Sequence, residues 1–274
     1  MGTIHLLDGS AGTALWAMAA EAGVKKEAVW KYNIEHPEFL LRLHRSYIEA
    51  GSEYIQANTF AVNRPAVEQT SDYSVKEVMT AAIRLAKQAA EGTGVKVYVP
   101  SGPLTQLLEP YGPLTKSETE SIYSEIASVA AEEGAAFLVF ETFMDVEMMK
   151  IAAAAAGKFD LPVICSMTFA KRRRTMMGNT VQQIIDTLEP LGISGIGMNC
   201  SFGPVEALPV LSEFAEETDL PLYYKPNSGI GEAYSAKQFA EEVAPALDRV
   251  RYVGGCCGCD AEYIQELARI IKKS

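Results

Sequence analysis

Histidine is scarce in this 274-residue chain: only His5, His36 and His44 occur. Zinc sites built on imidazole are therefore not expected, because His36 and His44 read as loop and helix residues and His5 sits three positions ahead of its strand's end. Positive charge is short as well, with 24 Lys and Arg against 35 Asp and Glu and a formal charge of −11. Such a surface repels nucleic acid and acidic membranes, which leaves a small molecule as the expected ligand. No run approaches 18 consecutive apolar residues, and the start "MGTIHLLDGSAGT" lacks a basic region followed by a long apolar one. Neither a membrane span nor an export signal is expected, and the chain reads as cytoplasmic. Met1-Gly2 is not a myristoylation start, since Leu6 stands where Ser or Thr is required. Linkers rich in Pro, Gly or Ser, low-complexity runs and sequence repeats are missing too, so residues 1–274 read as one domain.

What is present is a regular alternation. Short apolar runs occur at "IHLLD" (4–8), "EYIQANTF" (53–60), "VKVYVPSG" (95–102), "AFLVFETF" (136–143), "LPVICSMTF" (161–169), "GIGMNCS" (195–201), "LPLYYKPNSG" (220–229) and "RYVGGCCG" (251–258). Amphipathic segments separate them, among them 37–51, 76–92, 118–134 and 146–157, several closed by a glycine suited to a helix C-terminus. Eight strand–helix units predict a parallel sheet, and at this length a closed (β/α)8 TIM barrel, with an open doubly wound sheet as the alternative. The last segment, "DAEYIQELARIIKKS", predicts an eighth helix capped by Asp260.

Chemistry in such a barrel sits at the C-terminal ends of the strands. The eight runs end on Asp8, Asn58, Ser101, Glu141 with Thr142, Thr168, Asn199 with Cys200, Asn227, and Cys256 with Cys257. Any single Ser, Thr or Asn there is as well explained by contact with water. Five cysteines, an odd number without an export signal, argue against a disulfide framework and for metal ligands or reactive thiols. Cys200 from the sixth strand and Cys256 with Cys257 from the eighth would bring three thiolates to one rim, leaving a fourth zinc position open. Cys165 reads as a small buried hydrophobe. Neighbouring strand residues point to opposite faces, so Cys256 and Cys257 can share an ion only if the pleat breaks, and Gly254, Gly255 and Gly258 supply that freedom. A thiolate-rich zinc polarises carbonyls poorly but keeps a bound thiol deprotonated, which points to a thiol substrate acting as nucleophile.

In "LLDGSAGTAL" the backbone N–H groups around Ser10, Ala11, Gly12 and Thr13 can hold a carboxylate, and Asp8 can hold an amine. Glu141 is a second carboxylate at the same rim. Together they suit a zwitterionic amino-acid head group; taken singly, Asp8 also reads as a helix cap and Glu141 as a rim ion pair. The basic loop "AKRRRTMMGNT" (170–180) reads as a solvated run or as a contact for an anionic donor or partner protein.

The stretches "LLDGSAGT", "HRSYIEAGSEYIQANTF", "SGPLTQLLEPYG", "FETFMDVEMMK", "GMNCSFGP", "KPNSG" and "GGCCG" resemble, in order and over residues 6–258, the zinc-dependent homocysteine S-methyltransferase family. The likeness is greatest to the homocysteine-binding domain of cobalamin-dependent methionine synthase. It implies a (β/α)8 barrel with Zn2+ on Cys200, Cys256 and Cys257, and the sulfur of L-homocysteine as fourth ligand. It also implies that Asp8 and Glu141 engage the substrate amino group, that backbone around Ser10 to Thr13 holds its carboxylate, and that Asn227 can fill zinc's open position before substrate arrives. Methyl transfer to homocysteine would give methionine. The preferred donor is a methylcorrinoid carried by a partner protein, with S-methylmethionine or S-adenosylmethionine as rivals. Two alternatives keep the cysteines and change the rest: another thiol as acceptor, or a non-catalytic zinc or redox protein using Cys256, Cys257 and Cys259. Cys259 stands where the family usually has Thr and is expected to be a bystander.

Overall fold

The computed structural model describes residues 3–229 and 233–273. Eight parallel strands form its centre: β1 (His5–Leu6), β2 (Tyr54–Gln56), β3 (Lys96–Ser101), β4 (Leu138–Phe143), β5 (Val163–Met167), β6 (Gly195–Asn199), β7 (Leu222–Lys225) and β8 (Tyr252–Val253). They pair in the order β1-β8-β7-β6-β5-β4-β3-β2. The last seam, between β1 and β2, is closed by Glu53 N–H donating to Leu6 O at 2.8 Å and by Gln56 N–H donating to the Asp8 carboxylate at 2.7 Å. A side chain thus does there what a backbone carbonyl does elsewhere in the sheet.

The helices are α1 (Gly12–Glu21), α2 (Tyr32–Glu35), α3 (Pro37–Ala50), α4 (Arg64–Glu68), α5 (Val75–Ala90), α6 (Lys116–Glu132), α7 (Val146–Ala156), α8 (Val181–Leu188), α9 (Pro204–Glu217), α10 (Ala236–Val243) and α11 (Ala261–Ile271). One helix per unit, α3 and then α5 to α11, forms a closed outer ring in which α11 returns to α3. This is the TIM barrel expected from the alternation; α1, α2 and α4 are extra pieces in the first two strand-to-helix connections. Local sequence sets the starts. Ser74 with Glu77, Thr115 with Glu118, Thr180 with Gln183 and Ser235 with Gln238 make reciprocal capping boxes, and Asp260 caps α11. Gly51, at φ +104, ends α3 in the left-handed region a side chain would resist.

Strand alternation sorts side chains into two cores. Residues such as Leu6, Ile55, Val99, Leu138, Phe140, Cys165, Met198, Tyr224 and Val253 pack outward against the helices. Leu7, Tyr54, Tyr98, Phe137, Val139, Ile164 and Tyr223 fill the barrel, with Tyr252 against them. Continuing that inward parity to the strand ends delivers Gln56, Glu141, Ser166, Asn199 and Lys225 to one polar layer at the mouth.

Candidate functional site: a three-thiol centre at the barrel mouth

Cys200 follows the last residue of β6 and adopts φ +54, a conformation uncommon for a side-chain-bearing residue. Cys256 and Cys257 lie beyond β8, where the chain has left the strand. Gly254 N–H donates to Tyr224 O, Gly255 N–H to Asp8 O and Cys256 N–H to Pro226 O, so the turn is pinned to both neighbouring strands. The glycines act differently from the sequence expectation. Only Gly258 takes positive φ, at +82. Gly254 and Gly255 are needed for space: an added Cβ would lie 2.6 Å from Asp8 O in the first case and 2.3 Å from Cys259 Cβ in the second.

The three Sγ atoms lie within 4.8 Å of one another, and those of Cys200 and Cys257 are 3.2 Å apart. Thiolates at about 2.3 Å around tetrahedral zinc sit roughly 3.8 Å from each other, so this donor set fits the ion with small adjustments. Hydrogen bonds from Cys200 and Cys256 pull the Cys257 thiol down to about 3. Cys256, bonded to Cys200 and Cys257 and buried beside them, is pushed well above its ordinary value, and Cys200 is pushed up to about 12 although its bond with Cys256 works the other way. Cys200 and Cys256 resist ionisation beside the other sulfurs, and a bound cation would allow all three to be thiolates. Cys259 stays outside the cluster. It is buried, its Sγ is 3.9 Å from Pro226 O, and burial raises its pKa. Cys165 is likewise buried on the helix-facing side of β5.

Asn199 links this centre to the carboxylates. Its Oδ1 accepts from Thr142 N–H and from the Ser166 hydroxyl, both at 2.8 Å, and its Nδ2 donates to Thr142 Oγ1 at 2.8 Å and reaches Cys256 Sγ at 3.9 Å. Those bonds hold Thr142 at φ +64, which fixes the end of β4 and with it Glu141. Asn227 Oδ1 accepts from Cys257 N–H at 3.1 Å, so its side chain is at the centre but braces the cysteine turn. Asn58 is turned elsewhere, bonding Val29 O and Asn33 Oδ1.

The two carboxylates differ. Asp8 Oδ1 is bonded by the Tyr98 hydroxyl at 2.8 Å and by the Lys225 ammonium at 3.2 Å, and Oδ2 by Gln56 N–H. Glu141 Oε2 accepts from the Tyr223 hydroxyl at 3.1 Å. Burial pushes the Glu141 carboxyl up; Lys225 and the Tyr223 bond oppose it, while Asp8 and Cys257 add to it. Burial pulls the Lys225 ammonium down, yet Asp8 and Glu141 outweigh that and leave it above its ordinary value. Lys225, Tyr98 and Tyr223 were missed in the sequence reading. A lysine closing the apolar run "LPLYYK", in phase with an inward Tyr223, was the available signal.

The "DGSAGT" cradle is partly spent. Ser10 N–H donates to Cys259 O at 2.8 Å, Ser10 Oγ and Thr13 Oγ1 share a 2.6 Å bond, and Tyr47 donates to Ser10 O. What remains is the first turn of α1, where Ala11 is the N-terminal cap without a side-chain bond and Gly12 and Thr13 begin the helix. The basic loop is a tight excursion after β5: Ala170 and Arg174 bridge, Arg172 and Arg173 take positive φ, and Arg173 lies 3.7 Å from Glu213. Of the histidines, His5 pairs with Glu53, His36 with Glu38, and His44 is buried with neither ring nitrogen bonded. None joins the thiols.

A (β/α)8 barrel with three converging thiols and a free carboxylate oxygen at its catalytic end defines an enzyme barrel for thiol chemistry. The chain belongs to the homocysteine S-methyltransferase family, whose model matches residues 5–271. It is 27% identical over 265 residues to methionine synthase of Mycobacterium tuberculosis and 26% identical over 267 residues to that of Mycobacterium leprae. Those alignments cover 87% and 88% of this chain but 22% of each relative, so the chain spans about a fifth of their length. Among solved structures, the homocysteine methyltransferase MmuM from Escherichia coli shares the fold. Its metallated form superposes with a TM-score of 0.82 at 19% identity, and its oxidized form with 0.81 at 21%, each covering 98% of this chain and 96% of that one. No described helix is long and apolar enough to cross a membrane.

Proposed function

We propose that this barrel transfers a methyl group to the sulfur of L-homocysteine, forming methionine, with zinc held by Cys200, Cys256 and Cys257. The observation that carries the reading is the convergence of three thiols, their Sγ atoms within 4.8 Å of one another, at the same barrel mouth where β4 ends on the buried Glu141. When bound, the ion supplies a positive centre that keeps a coordinated thiol ionised near neutral pH. Glu141 Oε1 accepts from the substrate ammonium, while the N–H groups of Gly12 and Thr13 take its carboxylate. Asn199 keeps Glu141 in place and Asn227 keeps the cysteine turn in place. The substrate thiol loses its proton to solvent, its sulfur attacks the methyl carbon in line, and the departing donor keeps the electron pair of the broken bond.

The donor is best read as a methylcorrinoid borne by a partner protein. Phe60, Tyr111, Met144, Met176 and Met177 are exposed, and each follows the C-terminal end of a strand. An apolar rim of that kind favours a protein surface over a free polar donor. Five free thiols suit a reducing, cytoplasmic setting. The test is zinc-loaded protein with homocysteine or another small thiol as acceptor and three donors in parallel, methylcobalamin, S-methylmethionine and S-adenosylmethionine, reading methionine or the other methylated thiol. Methionine from methylcobalamin is the expected result. Methylation of another thiol with none of homocysteine would sink the acceptor assignment, and methionine only from a sulfonium donor would sink the corrinoid.

A further inference from the structure

Lys225 is the only charged side chain that β7 sends into the barrel, and it is 2% exposed. Its ammonium lies 2.8 Å from the Tyr98 hydroxyl oxygen and 3.2 Å from Asp8 Oδ1. Tyr98 in turn donates to that same Oδ1, and Gln56 N–H fills Oδ2. Asp8, 1% exposed, therefore has both oxygens occupied by donors of the protein itself. Glu141 contrasts with it. Only Oε2 has a protein donor among the described residues, Tyr223, and Oε1 is not among the buried atoms left without a partner, so solvent reaches it.

The sequence alone makes Asp8 and Glu141 equivalent as receptors for an amine. The geometry separates them. For a substrate ammonium to reach Asp8 it must either displace Lys225, stranding a buried cation, or sit beside it as a like charge in a poorly solvated place. Neither obstacle stands before Glu141 Oε1.

We infer that Lys225 is an internal counter-ion that occupies Asp8 and thereby leaves Glu141 as the sole receptor for the amino group of the incoming thiol amino acid. Lys225 is thus a positioning residue that sets specificity without touching substrate, and Asp8 is a brace of the β1–β2 seam. This rests on the homocysteine reading above. It also gives the mouth one amine-binding point next to the thiol centre, which suits an acceptor with a single amino group and disfavours diamines and larger cationic thiols.

The experiment measures calorimetric binding of homocysteine and of its des-amino analogue, 4-sulfanylbutanoate, to zinc-loaded holoprotein. The readout is the preference for homocysteine, a ratio that general loosening of the site does not move selectively. Glu141→Gln is expected to erase a preference of about tenfold or more. The double variant Asp8→Asn with Lys225→Met removes both buried charges together, so neither is stranded, and is expected to keep the preference within about threefold. Lys225→Met alone uncovers Asp8 and raises the preference, whereas Lys225→Arg leaves it as in the wild type. Loss of preference in the double variant to the extent seen with Glu141→Gln overturns the inference, as does a preference unmoved by Lys225→Met. A wild-type protein that binds neither thiol overturns the homocysteine reading instead, and this inference falls with it.

Discussion

The two halves of the barrel interior are built on opposite principles. Toward the N-terminal ends of the strands it is aromatic: Phe137 stacks on Tyr98 at 4.8 Å and packs near Tyr54 and Tyr252, with His5 against Tyr54. Toward the C-terminal ends it is ionic: Asp8, Lys225 and Glu141 are all buried. Tyr98 and Tyr223 join the halves, their rings in the aromatic layers and their hydroxyls on Asp8 and Glu141. The difference teaches a division of labour. Aromatic packing yields stability that does not depend on any partner, whereas a buried ionic layer is stabilising only while every member is paired, and it is kept where it orients something.

The contrast is broken most sharply at the mouth. Cys257→Ser should abolish stoichiometric zinc and lower methionine formation well beyond the roughly 10–100-fold typical of residues that merely support a metal ligand, with little change in thermal midpoint of the metal-free protein. Metal analysis and turnover check it. Phe137→Ala should do the reverse, costing about 3–5 kcal/mol in denaturant unfolding while zinc per folded molecule stays the same. Equal loss of zinc in both variants would erase the distinction between the halves.

A third comparison is pH. His44 on α3 is fully buried, and burial lowers its pKa from the usual 6.5 to about 4. A histidine depressed in the folded state is protonated first in the unfolded chain, so its contribution is complete above pH 6.5 and is lost as pH falls from 6.5 toward 4. The expected loss is roughly 3 kcal/mol over that window, and His44→Gln should flatten it in urea melts taken from pH 7 to 4. Smallest is Cys259→Ala, which removes a buried sulfur outside the thiol centre. It should cost about 1 kcal/mol and leave zinc content and turnover unchanged.

The barrel was legible in the sequence because eight apolar runs alternate with capped amphipathic helices, and both signals are local. The thiol centre was legible because three cysteines fall at strand ends that any such barrel gathers on one face. What was not legible depends on long-range pairing. The contacts of Asp8 with Tyr98 and Lys225 could not be read because those partners lie on β3 and β7, and only closure of the barrel brings them together. Lys225 itself was hidden inside a motif read for Asn227. The glycines beside the cysteines were rightly tied to bringing both sulfurs inward, but for Gly254 and Gly255 the reason is the close approach of Asp8 and Cys259, which no local pattern displays.

The central claim is that Cys200, Cys256 and Cys257 form an open zinc centre that takes a thiol. X-ray absorption at the zinc edge, before and after homocysteine is added, reads it directly. The account expects three sulfur neighbours per zinc in the protein alone and four with homocysteine, and no stoichiometric zinc after Cys200→Ser. A sulfur count that does not change on adding homocysteine, or a full set of protein sulfurs retained in Cys200→Ser, would contradict it.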